Sequence, residues 1–174
     1  MHAKVTVEEA AEAAATTPGG VRLEIVAPFV EAAARVLAQE CGEQVGKGEI
    51  HRVRSPRTSG AVSAMIAVTG GVAGLAIYSM SLDTARGLAS RMIGEPVVTF
   101  DDMAQSAIAE LANMITGQAG IKLEANGFPS DMSPPALVVG AGSTIATFDL
   151  TRLVIPLVLS VGQFNIDVAI KEAV

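Results

Sequence analysis

Ser106, Glu110 and Asn113 stand four and three residues apart in the stretch SAIAELAN, among small and apolar neighbours. Residues at that spacing share one face of an α-helix. A hydroxyl, a carboxylate and a carboxamide would then line up along a single stripe, which Asp102 and Gly117 extend at either end. Ala104, Ala107, Ile108, Leu111, Met114 and Ile115 fall on the opposite arc and are expected to face a core. No His or Lys lies at helical spacing from Ser106, so the stripe holds no nucleophile–base pair. An amphipathic helix needs some polar side, and that alone would account for most of these residues. Two details point further. Asn is a weak helix former that gains nothing at an exposed mid-helix site, and Gly117 costs about 1 kcal/mol relative to Ala while removing bulk. A polar stripe that thins at its end is a surface another molecule can approach.

Other chemistry-bearing residues are sparse. The chain has 174 residues and a formal net charge of −6, with no Lys/Arg stripe of the kind that phosphate contacts require, which argues against nucleic acid. The densest basic stretch, HRVRSPR from His51 to Arg57, reads as a solvated strand end and loop. His2 and His51 have no ligand spacing around them, so no metal site is expected. The single Cys41 allows no internal disulfide, which suits a reducing compartment, and it reads as a small buried thiol rather than a nucleophile.

The elements that must position the stripe follow from pattern. Half the residues are apolar and aromatics are few, so the core is built from Ala, Val, Ile, Leu and Met. Residues 1–22, rich in Ala, Thr and Glu and carrying Pro-Gly-Gly, read as a flexible tail before one domain over 23–174. Pro28 is expected to open a helix that closes at Gly42. Strands are expected over Glu49–Arg54, Ala61–Thr69 and Val72–Met80. The uncharged run Ala61–Leu82 is long enough to span a bilayer, but Gly70-Gly71 divides it into a hairpin. The N-terminus lacks a basic region followed by an apolar block, so no secretory signal is expected. Helices over Leu82–Ile93 and from Asp101-Asp102 to about Ala125 come next, then a loop over Phe128–Pro135. The last strands are expected at Leu137–Val139, Ser143–Phe148, Leu153–Leu159 and Phe164–Ile170, with Pro156 putting its strand at an edge or a bend. The fold class is α+β, a mostly antiparallel sheet with two long helices packed on it, in two pseudo-repeated halves that each run helix then strands.

The motif Ser106-x-x-x-Glu110-x-x-Asn113, followed by Met114-Ile115-x-Gly117-x-Ala119 and the proline pair Pro134-Pro135, closely resembles the CheX/CheC/FliY phosphatases of bacterial chemotaxis. The stretches GLAIYSMS (Gly74–Ser81), ARGLASRMIG (Ala85–Gly94) and DMSPP (Asp131–Pro135) add to that resemblance, which covers about residues 24–172. CheC-type members carry the motif twice; here FVEAAARVL (Phe29–Leu37) has no Glu-x-x-Asn pair, which favours the CheX type with one active face per chain. The resemblance implies a CheC-like fold, a homodimer, and a cytoplasmic phosphatase acting on the aspartyl phosphate of a CheY-type response regulator. It implies no cofactor of the chain's own; Mg²⁺ would sit in the phosphorylated partner. Asn113 would orient the hydrolytic water, since a carboxamide both donates and accepts but is no strong base. Glu110 would pair with a lysine of the partner, and Ser106 would contact it at the rim. Gly117 and Gly120 would either clear the partner's backbone or let the helix pack on a neighbour. The rival readings are a binding module that docks a response regulator or flagellar switch component without hydrolysis, and a small-ligand sensor.

Overall fold

The computed structural model describes residues 22–53, 60–144 and 152–173. The expected tail up to Val21, the Arg54–Arg57 half of the basic stretch and most of the expected strand Ser143–Phe148 lie outside them. In chain order the described elements are α1 (Leu23–Cys41), β1 (Gly46–Lys47), β2 (His51–Val53), β3 (Val62–Gly70), β4 (Val72–Met80), α2 (Leu82–Ile93), α3 (Asp102–Ala125), β5 (Ser130–Met132), β6 (Ala136–Val139), β7 (Arg152–Leu159) and β8 (Gly162–Glu172). The strands form one antiparallel sheet ordered β1-β7-β8-β4-β3-β5, with β2 also beside β7 and β6 beside β3.

That order carries the expected repeat. Two hairpins, β3–β4 and β7–β8, lie side by side and meet along β4 and β8. Each outer flank comes from the opposite half: β1 and β2 border β7, and β5 and β6 border β3. Helix α1 precedes the first set of four strands and α3 the second, so the halves repeat in order and exchange their outer strands.

The membrane-length run is the hairpin β3–β4, as its glycine pair implies. Gly70 sits at φ 111°, and a Cβ there would lie 2.7 Å from the Pro129 carbonyl oxygen. The strand crossing this turn leaves no room for a side chain. Among the described residues no helix is long and apolar enough to cross a membrane.

One sheet face packs on the helices. Val62, Ala64 and Ile66 of β3, Ala76, Tyr78 and Met80 of β4, and Phe164, Ile166 and Val168 of β8 are buried in the same core as Phe29, Val36 and Leu37 of α1 and Ile108, Leu111 and Ile115 of α3. The alternation in β8 puts Asn165 and Asp167 on the other face as expected, yet both are buried there. Asp167 Oδ2 accepts a hydrogen bond from Nη1 of the equally buried Arg152 at 3.1 Å.

Four local expectations are corrected. Helix α1 begins at Leu23, five residues before Pro28, which is an interior position. Pro28 cannot donate to the Glu24 carbonyl, and Asn126 Nδ2, from the end of α3, donates to that oxygen instead at 2.9 Å. A partner about a hundred residues away thus lets the helix run through the proline. Of the expected strand over Glu49–Arg54 only β2 forms, and a further short strand, β1, precedes it, with residues 48–50 between them. The loop Phe128–Pro135 contains β5, which borders β3; Ser133 then accepts from the Ala67 N–H through Oγ and donates its own N–H to the Ala67 carbonyl, carrying the ladder up to the proline pair. Of the edge or bend expected at Pro156, the edge is not found, since β1 and β2 border β7. The Pro156 carbonyl accepts from Gly48 N–H at 2.8 Å, so the missing donor faces the break between β1 and β2.

Candidate functional site

Helix α3 is held at both ends and in the middle. At its start the Asp101 carboxylate accepts the Ala104 N–H at 3.0 Å, a cap that typically contributes about 1 kcal/mol. At its end Asn126 ties it to α1, and Lys122 pairs with Glu31 of α1. In the middle the Thr116 hydroxyl donates to the Ala112 carbonyl at 2.9 Å, so its oxygen accepts from Tyr78 Oη of β4 at 2.7 Å. Both groups are buried, and burial pushes the Tyr78 phenol well above its ordinary range.

The inward arc of α3 is Ala104, Ile108, Leu111, Ala112, Ile115, Thr116, Ala119 and Leu123; Ala107 and Met114 are half-buried at its margin. Asp102, Ser106, Glu110, Asn113 and Gly117 are all exposed. Glu110 and Asn113, three residues apart, have Cβ atoms about 5–6 Å from each other. Ser106 lies one turn before Glu110 and Gly117 one turn after Asn113. Among the described residues the side chains of Ser106, Glu110 and Asn113 make no hydrogen bond or ion pair, so their polar atoms are available to a visitor.

The two glycines of this helix differ. A Cβ on Gly120 would lie 2.8 Å from Met132 Cε, the mobile end of a side chain that a small shift could clear. A Cβ on Gly117 would meet nothing within 4 Å. Between α1 and α3 is a groove whose lining includes Pro28, Ala32, Arg35, Gln118, Ile121 and Ala125. Ile121, 73% exposed, continues the stripe one turn beyond Gly117. Neither the groove nor Ile121 was expected, because the groove needs α1 to lie alongside α3, although the i+4 step from Gly117 to Ile121 is in the sequence.

Among the described residues no group of three His, Cys, Asp or Glu could hold a metal ion. Cys41 is buried, and that burial, with Glu43 and Glu40 adding to it, pushes its thiol up to about 11.

The sequence profile of one family, described as chemotaxis phosphatase CheX, matches residues 62–158, more than half of the chain. The chain belongs to the CheX family. A curated CheX relative, the CheY-P phosphatase CheX of Thermotoga maritima, is 38% identical over 109 residues, covering 62% of this chain and 70% of that protein. Among solved structures, the CheX of Desulfovibrio desulfuricans superposes with a TM-score of 0.77 at 26% identity, covering 86% of this chain and 99% of that one. The CheX of the CheX–CheY–BeF3–Mg²⁺ complex from Borrelia burgdorferi gives a TM-score of 0.75 at 28% identity, covering 87% and 100%. These folds agree with the expected CheC-like α+β architecture.

Proposed function

We propose that this CheX-family chain is a phosphatase that hydrolyses the aspartyl phosphate of a CheY-type response regulator in the cytoplasm, with Asn113 and Glu110 as its working residues. The observation that carries the reading is that these two side chains project outward, one turn apart and unpaired, from a helix anchored on its other side.

An acyl phosphate hydrolyses slowly unaided, so little covalent chemistry is asked of the phosphatase. A water oxygen forms a bond to phosphorus while the bond to the aspartyl oxygen breaks. The aspartate leaves as a carboxylate with the electron pair, and the water's proton passes to the departing phosphate or to solvent. The Asn113 carboxamide accepts from and donates to that water, holding it in line without removing its proton. The same logic operates in the water-positioning glutamine of GTPases. Orientation supplies up to about 7–11 kcal/mol in favourable cases, and a fraction suffices here. Glu110 pairs with a lysine beside the phosphorylated aspartate and fixes the register of the two proteins. Ser106 contacts the regulator at the rim, and Gly117 admits its backbone. Mg²⁺ belongs to the regulator, as the composition of the Borrelia burgdorferi complex suggests by analogy. A homodimer is expected from the family resemblance, with one active face per chain.

The test is release of inorganic phosphate from each phosphorylated regulator of the same cell, with and without the purified chain. Acceleration of one regulator is expected. Binding of a phosphorylated regulator without acceleration would instead make the chain a docking module and sink the catalytic assignment.

A further inference from the structure

We propose that the groove between α1 and α3 is a docking surface for the phosphorylated response regulator, entered across Gly117 and anchored on Ile121; this rests on the function proposed above.

Three observations converge. Gly117 has empty space where a Cβ would sit, so the fold itself does not call for glycine there. A glycine that weakens its own helix without easing any internal contact clears the path of something outside. Ile121, one turn further along the stripe, leaves an aliphatic side chain 73% exposed. The groove beside it continues over Pro28, Ala32 and Ala125, an apolar floor with Arg35 and the Glu31–Lys122 pair among its lining. The surface is continuous with Glu110 and Asn113, since Gly117 and Ile121 follow Asn113 at successive steps of four on one face. That continuity commits the groove to the molecule that visits Asn113. The regulator is expected to lay backbone over Gly117 and an aliphatic side chain against Ile121, where an apolar contact shielded by a polar rim contributes most to affinity. Ile121 and Gly117 then set KM and leave the chemistry to Asn113.

Ile121→Glu and Gly117→Leu are compared with wild type and with Asn113→Ala. The readouts are the initial rate against concentration of the phosphorylated regulator, titration with the same regulator carrying BeF3⁻ and Mg²⁺ in place of the phosphoryl group, thermal unfolding, and molar mass in solution. The expected result is a KM and a Kd at least tenfold higher for both groove variants, a smaller effect on kcat, unchanged mass, an unchanged Tm for Ile121→Glu, and a Tm equal to or above wild type for Gly117→Leu, which removes a helix-weakening glycine. Asn113→Ala is expected to lose kcat with Kd retained. Unchanged KM and Kd in the groove variants, with Asn113→Ala inactive, would overturn the docking surface and leave the phosphatase reading standing. A change in molar mass on Ile121→Glu would overturn it too, assigning the groove to a second copy of the chain. No acceleration and no binding by wild type with any regulator would overturn both.

Discussion

Asn113 contributes almost nothing to the fold, because its side chain is exposed and makes no hydrogen bond within the described chain. Asn113→Ala is therefore expected to lower kcat for regulator dephosphorylation by at least a hundredfold while unfolding within about 0.5 kcal/mol of wild type. Stopped assays and urea melts on the same preparation check both parts, and a fall in stability matching the fall in rate would refute the division. Glu110→Ala is expected to raise KM as well as to lower the rate, because in the proposed complex its charge would pair with the partner. Cys41 makes the opposite kind of prediction. Burial pushes its thiol up to about 11, so iodoacetamide at pH 8 should leave the native chain untouched and label it only after unfolding. The outward aim of Ser106, Glu110, Asn113 and Gly117 was readable in the sequence, since it follows from helical periodicity alone. The difference between Gly117 and Gly120 was not, because it lies in the distance to Met132, a residue of another element.

At the scale of elements, α1 shows where local rules give way. Pro28 reads as a helix start because proline suits the first turn, and the helix nevertheless begins at Leu23. The Glu24 carbonyl orphaned by Pro28 is taken up by Asn126 Nδ2. Asn126→Ala should cost about 0.5–1 kcal/mol, since the bond is exposed and water can take the donor's place in part. In a Pro28→Ala background the restored N–H bonds Glu24 within the helix, and the same Asn126→Ala change should cost less than half as much. A double-mutant cycle by urea unfolding measures the coupling, and additive effects would disprove the compensation. Strand β5 was hidden for a related reason: Ser130-Asp131-Met132 has turn-like composition, and only its pairing with β3 makes it a strand. By contrast β4 and α2 matched their expected limits, because glycines and a Ser81 cap bound them locally.

At the scale of the whole molecule, the sheet buries charge on the face away from the main core. Burial pushes Asp167 up to about 6, against the opposing influence of Arg152 and then of His51. The folded chain therefore keeps a proton on Asp167 at mildly acidic pH where the unfolded chain releases it. The stability this contributes is complete below about pH 4 and is lost as pH rises through about 6. Wild type is expected to lose on the order of 2–3 kcal/mol relative to Asp167→Asn between pH 4 and 7.5. Urea unfolding across that range checks it, and a wild type that gains on the variant as pH rises would show that Arg152 outweighs burial. Nothing in the alternation of β8 announced that its second face would be covered; periodicity reports two faces and not what lies over each.

The Tyr78–Thr116 hydrogen bond sits on the far side of α3 from solvent, between Asn113 and Gly117 in sequence. It adds to the core contacts that resist rotation of the helix about its own axis. With side-chain tips about 6 Å from that axis, a roll of about 20° would carry the Asn113 carboxamide about 2 Å sideways. Misplacement of about 1 Å can cost a hundredfold in rate. If Asn113 aligns the hydrolytic water as proposed, this hydroxyl pair, together with the packed inward arc of α3, would help decide where the amide points, and the sheet would take part in the aiming through Tyr78.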